Sequence, residues 1–346
     1  MWPYWLILML PLAGVTFTHR TANQRLAWFL VLVLLGLFIG LRYEVGGDWG
    51  TYLRHFDGMR YLKFTDAVSL DDPAYYLINW IVADEGLSIV WVNLFCAAIV
   101  CCGVHAFCRN QPLPWLALTV AIPYLLIVVS MGYTRQAAAL GLALIGLTAL
   151  AKDKNRQFVF WVLLGALFHK SAVLLLPIAA LAATRNRLWT ALWVSVFVAI
   201  AVYSLLLESA ENMWQNYVVD DYSQASQGGA IRVCMNAVPA TLLLLFRDKL
   251  FYNDKERRLW TWMAVLSLAT LPMLSLSATG VDRVALYFIP LQMFVFSRLP
   301  FVARDANNFN TIIYGTVAYY VLVQFVWLNF AVHARYWLPY KNILFQ

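Results

Sequence analysis

The stretch from Leu113 to Met131 reads LPWLALTVAIPYLLIVVSM and contains no charged side chain. A helix of about 20 apolar residues spans the hydrocarbon core of a bilayer, and lipid offers an unpaired backbone group no hydrogen-bond partner. The stretch therefore predicts a transmembrane helix. The whole chain has a similar composition, since 62% of its 346 residues are apolar and only 12% are charged. That is about half the charged fraction of a soluble domain. This composition predicts an all-α polytopic membrane protein.

About ten apolar runs recur along the chain, and we expect each of them to cross the membrane. No polar segment is long enough to form an attached soluble domain, so residues 1–346 are predicted to form a single transmembrane domain. The first run lacks a cleavage site and is interpreted as a retained anchor. The predicted spans are Trp2–Thr18, Leu26–Leu41, Leu87–Phe107, Leu113–Met131, Gln136–Ala151, Leu188–Leu207, Val233–Phe246, Leu259–Ser277, Val284–Ser297 and Thr311–Val332.

The segment 158–183 is apolar but carries His169 and Lys170 near its centre. Basic clusters precede and follow it, and short loops rich in Lys and Arg stay in the cytoplasm. With both flanks cytoplasmic, the segment enters the membrane and returns as a re-entrant helical pair with His169 at its turn. Both chain termini and the loop 42–86 then lie on the outer face.

Polar residues that packing explains poorly gather on that outer face. Four of them, Arg42, Arg135, Lys170 and Arg283, are predicted to line an outward-facing cavity with positive charge. Arg binds phosphate through bidentate bonds and Lys binds it as a point charge. The predicted ligand is therefore a membrane-embedded anion, such as a prenyl phosphate or pyrophosphate, and not a nucleic acid.

Two residues on this face are candidate general bases. Histidine as a residue type has an ordinary pKa near neutral pH, which makes His169 a candidate, and Asp48 is a carboxylate in the first outer loop. Each polar element also has a structural alternative. Arg42 could extend to the interface from a helix end, the glycines before Asp48 could form a plain turn, and Asp282 could pair with Arg283.

The outer-face motifs together resemble a known family. The motifs are Arg42-Tyr43-x-Val45-Gly46-x-Asp48-x-x-x-Tyr52, Pro73-x-Tyr75-x-x-x-Asn79, Arg135-Gln136, His169-x-Ser171-Ala172, Asp282-Arg283 and Tyr336…Tyr340-Lys341. This set resembles the EpsG family of membrane proteins over nearly the whole chain, and the motifs keep the family's order. The family has the role called Wzy in polymerising bacterial surface polysaccharides and exopolysaccharides.

The reaction that this resemblance implies is a block transfer of glycan. A growing glycan on undecaprenyl pyrophosphate moves to the non-reducing-end hydroxyl of one lipid-linked repeat unit, and undecaprenyl pyrophosphate leaves. The resemblance implies a GT-C-like fold in the bacterial inner membrane, with the active site facing the periplasm. The implied partners are undecaprenyl-pyrophosphate-linked oligosaccharides and membrane lipid, and a chain-length regulator is a further candidate. No cofactor, metal or nucleotide sugar is implied.

Residue roles follow as hypotheses on top of that resemblance. Arg135 and Arg283 would hold the leaving pyrophosphate, with Lys170 and Arg42 assisting. His169 or Asp48 would take the proton from the acceptor hydroxyl. Four aromatic residues would stack on sugar rings or anchor the outer loop, namely Tyr52, Tyr75, Trp80 and Tyr287.

Three other functions stay open from the sequence. A GT-C glycosyltransferase that uses a prenyl-monophosphate sugar also keeps an acidic residue in its first outer loop, where Asp48 lies. A polysaccharide O-acyltransferase also uses membrane His and Arg, but it needs a cytoplasmic path for the acyl donor. A lipid-linked oligosaccharide flippase needs a cavity open to both sides, whereas the unusual polar residues here lie on one side.

Overall fold

The computed structural model describes residues 1–17, 24–182, 188–189, 192, 195–196, 229–251, 253–275 and 278–345. Apart from one antiparallel bridge between Arg42 and Asn342, these residues form helices and the turns between them. The predicted all-α class is confirmed. The helices are α1 Trp2–Phe17, α2 Gln24–Gly40, α3 Trp49–Met59, α4 Phe64–Val68, α5 Pro73–Asp84, α6 Ile89–Cys108, α7 Pro114–Gly132, α8 Thr134–Ala151, α9 Asn155–Ala166, α10 Lys170–Leu181, α11 Gly229–Leu245, α12 Arg247–Leu250, α13 Asp254–Met273, α14 Ala278–Ala285, α15 Ile289–Phe296 and α16 Ala306–Phe330.

Four of the described helices are long and apolar enough to cross a membrane: α6, α7, α8 and α16. Shorter apolar helices accompany them, namely α1, α2, α10 and α11. The predicted span Leu188–Leu207 lies almost entirely outside the described residues. Every other predicted span overlaps a helix, because long apolar runs have few ways to satisfy their backbone except as helices.

The surface of α2 shows why such helices belong in lipid. Trp28, Leu35 and Ile39 are buried on one face of this helix. The opposite face exposes Phe29 and Leu34, together with further large apolar side chains. Water would make so large an apolar surface costly, whereas the hydrocarbon core accepts it. The chain is therefore a membrane protein.

The chain divides into two compact units, each assembled from separate parts of the sequence. The first unit contains residues 1–142, 167–169 and 314–346. The second unit contains residues 143–166 and 170–313. The single transmembrane domain stays a prediction.

Small residues let helices of the first unit approach closely. A Cβ atom added at Gly103 on α6 would lie 2.0 Å from the carbonyl oxygen of Gly141 on α8. A side chain at Gly103 would therefore force the two helices apart.

The segment predicted to be re-entrant contains a break between two helices. Helix α9 ends at Ala166, a turn occupies residues 167–169, and α10 opens with a 3₁₀ stretch, Lys170–Leu175. His169 thus lies at the junction of two short helices. That both halves face the same side of the membrane stays a prediction.

The loop 42–86, predicted to lie on the outer face, is largely helical, because α3, α4 and α5 lie within it. Its first residues contact the C-terminal segment through backbone hydrogen bonds, from Tyr43 N–H to the Lys341 carbonyl at 3.1 Å and from Gly46 N–H to the Tyr336 carbonyl at 2.9 Å. Gly46 has φ +114°, and a Cβ atom there would lie 2.2 Å from the Met131 carbonyl oxygen. Only glycine fits this turn, which sets where α3 begins.

Candidate functional site

An arginine surrounded by three tyrosines forms the centre of the first unit's polar cluster. The Arg135 guanidinium lies 5.7, 5.8 and 5.9 Å from the ring centroids of Tyr52, Tyr75 and Tyr76. Its Nη1 donates to Asp72 Oδ2 at 2.8 Å. Cation–π contact and a charge-assisted hydrogen bond both favour the charged form of the arginine. We call these five residues the Arg135 cluster.

The sequence did not reveal two residues of this cluster, Tyr76 and the acidic Asp72. The Asp72 side chain is only 5% exposed, against 26% for Arg135. Asp72 directly precedes Pro73, the first residue of α5, so its carboxylate lies at the positive end of that helix. The loop 42–86 carries several acidic residues, and nothing in the local sequence pattern distinguishes the one that is buried.

Two tyrosines of the Arg135 cluster, Tyr75 and Tyr76, have neutral phenols and are not bases. Burial raises the pKa of the Tyr75 phenol well above its ordinary value, and burial also raises the pKa of Tyr76. His55 is close by, with its ring centroid 6.1 Å from that of Tyr76. Burial and then the charge of Arg135 lower the pKa of His55, so this imidazole is neutral at neutral pH.

Arg42 is buried inside the first unit and does not line an open cavity. It is 1% exposed, and its guanidinium donates to three neutral oxygens, those of Ile39 C=O at 2.7 Å, Asn93 Oδ1 at 3.1 Å and Thr134 Oγ1 at 2.7 Å. No carboxylate pairs with Arg42 among the described residues. Because Thr134 precedes Arg135, Arg42 supports the start of α8, and its predicted role toward pyrophosphate stays a prediction.

The two candidate bases lie at different edges of the Arg135 cluster. Asp48 directly precedes α3, and its backbone carbonyl accepts a hydrogen bond from the Tyr52 N–H at 2.9 Å. Asp48 therefore lies one helical turn before Tyr52, whose ring belongs to the cluster. The turn that carries His169 joins the start of α5, because the Ala74 N–H donates to the Leu167 carbonyl at 3.0 Å. The fold thus brings the His169 turn to the helix end where Asp72 lies. Neither assignment as a base is tested.

Trp80 lies away from the Arg135 cluster, at the other end of α5. Its indole N–H donates to the Leu62 carbonyl at 2.9 Å, and Phe64 packs edge-on against its ring. The sequence had grouped Trp80 with Tyr52 and Tyr75 as sugar-binding residues. The structure places both tyrosines beside Arg135 and leaves Trp80 separate.

The second unit brings together two further motifs. Ser171 Oγ and Tyr287 Oη lie 3.0 Å apart in a hydrogen bond, which joins the His-Lys-Ser motif to the segment after Asp282. Lys170 is half-buried beside Ser171. The Tyr287 ring is only 1% exposed, so its position favours this hydrogen bond over the predicted stacking on a sugar.

Asp282 pairs with an arginine that the sequence reading overlooked. Arg232 on α11 donates to both carboxylate oxygens of Asp282, at 2.7 and 2.6 Å. The expected alternative, a pair between Asp282 and its neighbour Arg283, is therefore not the arrangement found for this carboxylate. Both residues lie inside helix α14 and not in the loop before it. Arg283 is half-buried, and its predicted role stays a prediction.

A polar chain continues from this pair into the helices of the second unit. Asn236, one turn after Arg232 on α11, donates to the Ala285 carbonyl at 2.8 Å and accepts from Gln292 at 2.6 Å. Both amide side chains are buried. Buried polar groups are costly without partners, so this chain fixes α11 against α14 and α15.

A family model matches residues 25–342, a range that includes the Arg135 cluster and the polar residues of the second unit. The chain belongs to the EpsG family. EpsG proteins are a family of Wzy-like polymerases, so the resemblance seen in the motifs is confirmed. No curated protein and no solved structure matches the chain. Its apolar helices and this membership identify an EpsG membrane protein of polysaccharide biosynthesis.

Proposed function

We propose that this EpsG protein is a Wzy-type polysaccharide polymerase. It transfers a glycan from undecaprenyl pyrophosphate onto a lipid-linked repeat unit, in O antigen, capsule or exopolysaccharide synthesis. The observation that carries the proposal is the family match over residues 25–342. A half-buried arginine ringed by tyrosines, in a protein with membrane-spanning helices, supports an anionic lipid head group as the ligand.

The reaction forms one glycosidic bond and breaks one bond to phosphate. The non-reducing-end hydroxyl of the repeat unit attacks the anomeric carbon of the growing glycan. The bond from that carbon to the pyrophosphate oxygen breaks, and the electron pair leaves with undecaprenyl pyrophosphate. The hydroxyl proton passes to His169 or Asp48, and negative charge builds up on the leaving oxygen.

Cationic side chains lower the barrier where this charge develops. Arg135 and Arg283 are the proposed clamp on the leaving pyrophosphate, with Lys170 assisting. For Arg135 to hold the pyrophosphate, its guanidinium must donate to a pyrophosphate oxygen while it also donates to Asp72. Arg42 contributes indirectly, by holding Thr134 beside Arg135.

The proposed setting is the bacterial inner membrane, with about ten spans, a GT-C-like arrangement and the active site facing the periplasm. The basic residues that flank 158–183 support this orientation through the positive-inside rule. At this face the lipid tail of the substrate stays in the bilayer while its pyrophosphate reaches the surface.

A glycan ladder assay tests the proposal. Purified protein in lipid receives one lipid-linked repeat unit extracted from the source bacterium, without nucleotide sugar and with a chelator. A ladder of products is expected from the wild-type protein. His169→Ala should abolish it if His169 is the base, and Arg135→Ala should slow it by about a hundredfold, the usual cost of losing one stabilising donor.

Arg54→Ala is the matched control for the arginine, because Arg54 is exposed on α3 and donates to Thr51. It should leave the ladder unchanged. Addition of a single sugar from a prenyl-monophosphate donor would replace the proposal by the GT-C transferase. Wild-type activity in a correctly inserted Arg135→Ala protein would exclude the pyrophosphate clamp, and a ladder from His169→Ala would assign the base to Asp48.

A further inference from the structure

A polar cavity opens at the far end of two helices, α3 and α5, that contribute to the Arg135 cluster. Its volume is about 280 Å³, just under the roughly 300 Å³ at which ligand pockets usually begin. It is therefore suited to a small unit such as one sugar ring. Its lining includes Met59, Arg60, Leu62, Trp80, Asp84 and Gly86. We call it the Trp80 cavity.

Trp80 provides a rigid apolar wall in this cavity. Its indole N–H is held by the Leu62 carbonyl at 2.9 Å. Phe64 fixes the ring from its edge, with 5.5 Å between the centroids and 75° between the planes. The ring is half-buried, so part of it stays accessible. An indole face of fixed orientation suits the apolar C–H face of a sugar.

Arg60 and Asp84 add hydrogen-bonding groups of both kinds. Both side chains are exposed, and neither forms an ion pair or side-chain hydrogen bond with the part of the chain that the structure describes. A guanidinium donates and a carboxylate accepts. Sugar hydroxyls can do both, so a flat ring against Trp80 would find a donor and an acceptor at its rim.

The fold connects this cavity to the Arg135 cluster. Helices α3 and α5 each start at the cluster, with Tyr52 and Tyr75, whose ring centroids are 5.9 Å apart. Both helices end at the cavity, α3 with Met59 and α5 with Asp84. From Tyr52 to Met59 the distance along α3 is roughly 10 Å, at about 1.5 Å per residue. The two helices thus run side by side from a cationic site to an aromatic one.

We propose that the Trp80 cavity is a glycan subsite that binds one sugar ring of the lipid-linked oligosaccharide, beyond the ring attached to pyrophosphate. The inference rests on the proposed function, because that function supplies a ligand with a pyrophosphate at one end and several sugars beyond it. Binding of this ring in the cavity selects repeat units that fit and fixes their position relative to Arg135, while the chemistry takes place at the Arg135 cluster.

Binding of the repeat-unit oligosaccharide, released from its lipid by mild acid, tests this subsite without any catalysis. Full-length protein in lipid nanodiscs is titrated with the oligosaccharide, and saturation-transfer NMR gives the Kd. Arg60→Ala and Asp84→Asn should each weaken binding by about tenfold, the effect of one charge-assisted hydrogen bond. Trp80→Ala should remove the saturation of one ring's protons, and Trp80→Phe should keep most of it.

Two exposed neighbours serve as matched controls. Lys63→Ala and Glu85→Gln remove charges near the cavity that do not belong to its lining, and both should bind as the wild-type protein does. Unchanged binding in Arg60→Ala, Asp84→Asn and Trp80→Ala, with the ladder intact, would overturn the subsite and leave the polymerase proposal standing. Binding that depends on Trp80 and Asp84, in a protein that forms no ladder, would support the subsite and overturn the polymerase.

Discussion

Replacing Asp72 by Asn should destabilise the first unit by about 2 kcal/mol. The substitution keeps the shape of the side chain and removes the charge that pairs with Arg135 at 2.8 Å. The guanidinium would then stay among three tyrosine rings without its carboxylate. The same change tests whether Asp72 is needed to keep Arg135 in place for its ligand.

The magnitude follows from the burial of the pair. Removing one partner of a fully buried ion pair costs about 3–5 kcal/mol, whereas an exposed pair contributes about 0–1 kcal/mol. Here the side chains of Arg135 and Asp72 are 26% and 5% exposed, so water screens part of the arginine's charge. Cation–π contact retains about 0.5–2 kcal/mol of stabilisation for the unpaired guanidinium. A loss near 2 kcal/mol remains.

A double-mutant cycle isolates this interaction. Asp72→Asn, Arg135→Ala and the double variant are unfolded at equilibrium in mixed micelles of dodecyl maltoside and SDS, and helix content is followed by circular dichroism. The coupling free energy between the two sites should be about 2 kcal/mol. Asp71→Asn, one residue earlier and exposed, should change the free energy of unfolding by less than about 0.5 kcal/mol.

A coupling below about 0.5 kcal/mol would refute the reasoning, because the pair would then behave like an exposed one. A loss in Asp71→Asn as large as that in Asp72→Asn would refute it too. In that case the total charge of the loop, and not this buried contact, would control stability.

Two further substitutions test the packing on which the site depends. Gly46→Ala should destabilise the protein by about 3 kcal/mol or more, because the φ of +114° is unfavourable for alanine and the new Cβ would lie 2.2 Å from the Met131 carbonyl oxygen. The control is Gly50→Ala on α3, where the space around the glycine is open. This change should instead stabilise the protein by about 0.5–1 kcal/mol. Glu256→Gln should cost about 3 kcal/mol, because its pair with Arg298 is only 5% and 10% exposed, whereas Asp254→Asn breaks an exposed pair and should cost about 0.5 kcal/mol. The same unfolding assay measures all four variants. Equal changes in stability for Gly46→Ala and Gly50→Ala would contradict the steric argument, and equal losses for Glu256→Gln and Asp254→Asn would contradict the burial argument.

Local chemistry explains why so much of the helix pattern was predictable. An apolar run such as Leu113–Met131 must be helical in lipid, and the structure places α7 at Pro114–Gly132. The break at His169 was also readable, because the polar His169-Lys170 pair in the middle of an apolar segment disfavours one continuous span. These features depend on neighbours within one or two helical turns.

The partners of the charged residues required the tertiary structure. Asp72 and Arg135 are 63 residues apart in the chain, and Arg232 and Asp282 are 50 residues apart. Neither distance leaves a periodic signal in the sequence. The burial of Arg42, and the separation of Trp80 from the tyrosines around Arg135, depend in the same way on how the helices pack.

The sequence by itself thus determined that this chain is a helical membrane protein of the EpsG family, because apolar length and motif order are properties of short stretches. The tertiary structure decided which charges are paired, which aromatic residues surround Arg135, and where a cavity opens beside Trp80. Such contacts join residues far apart in the chain, and the free energy of each depends on how much water the surrounding helices exclude.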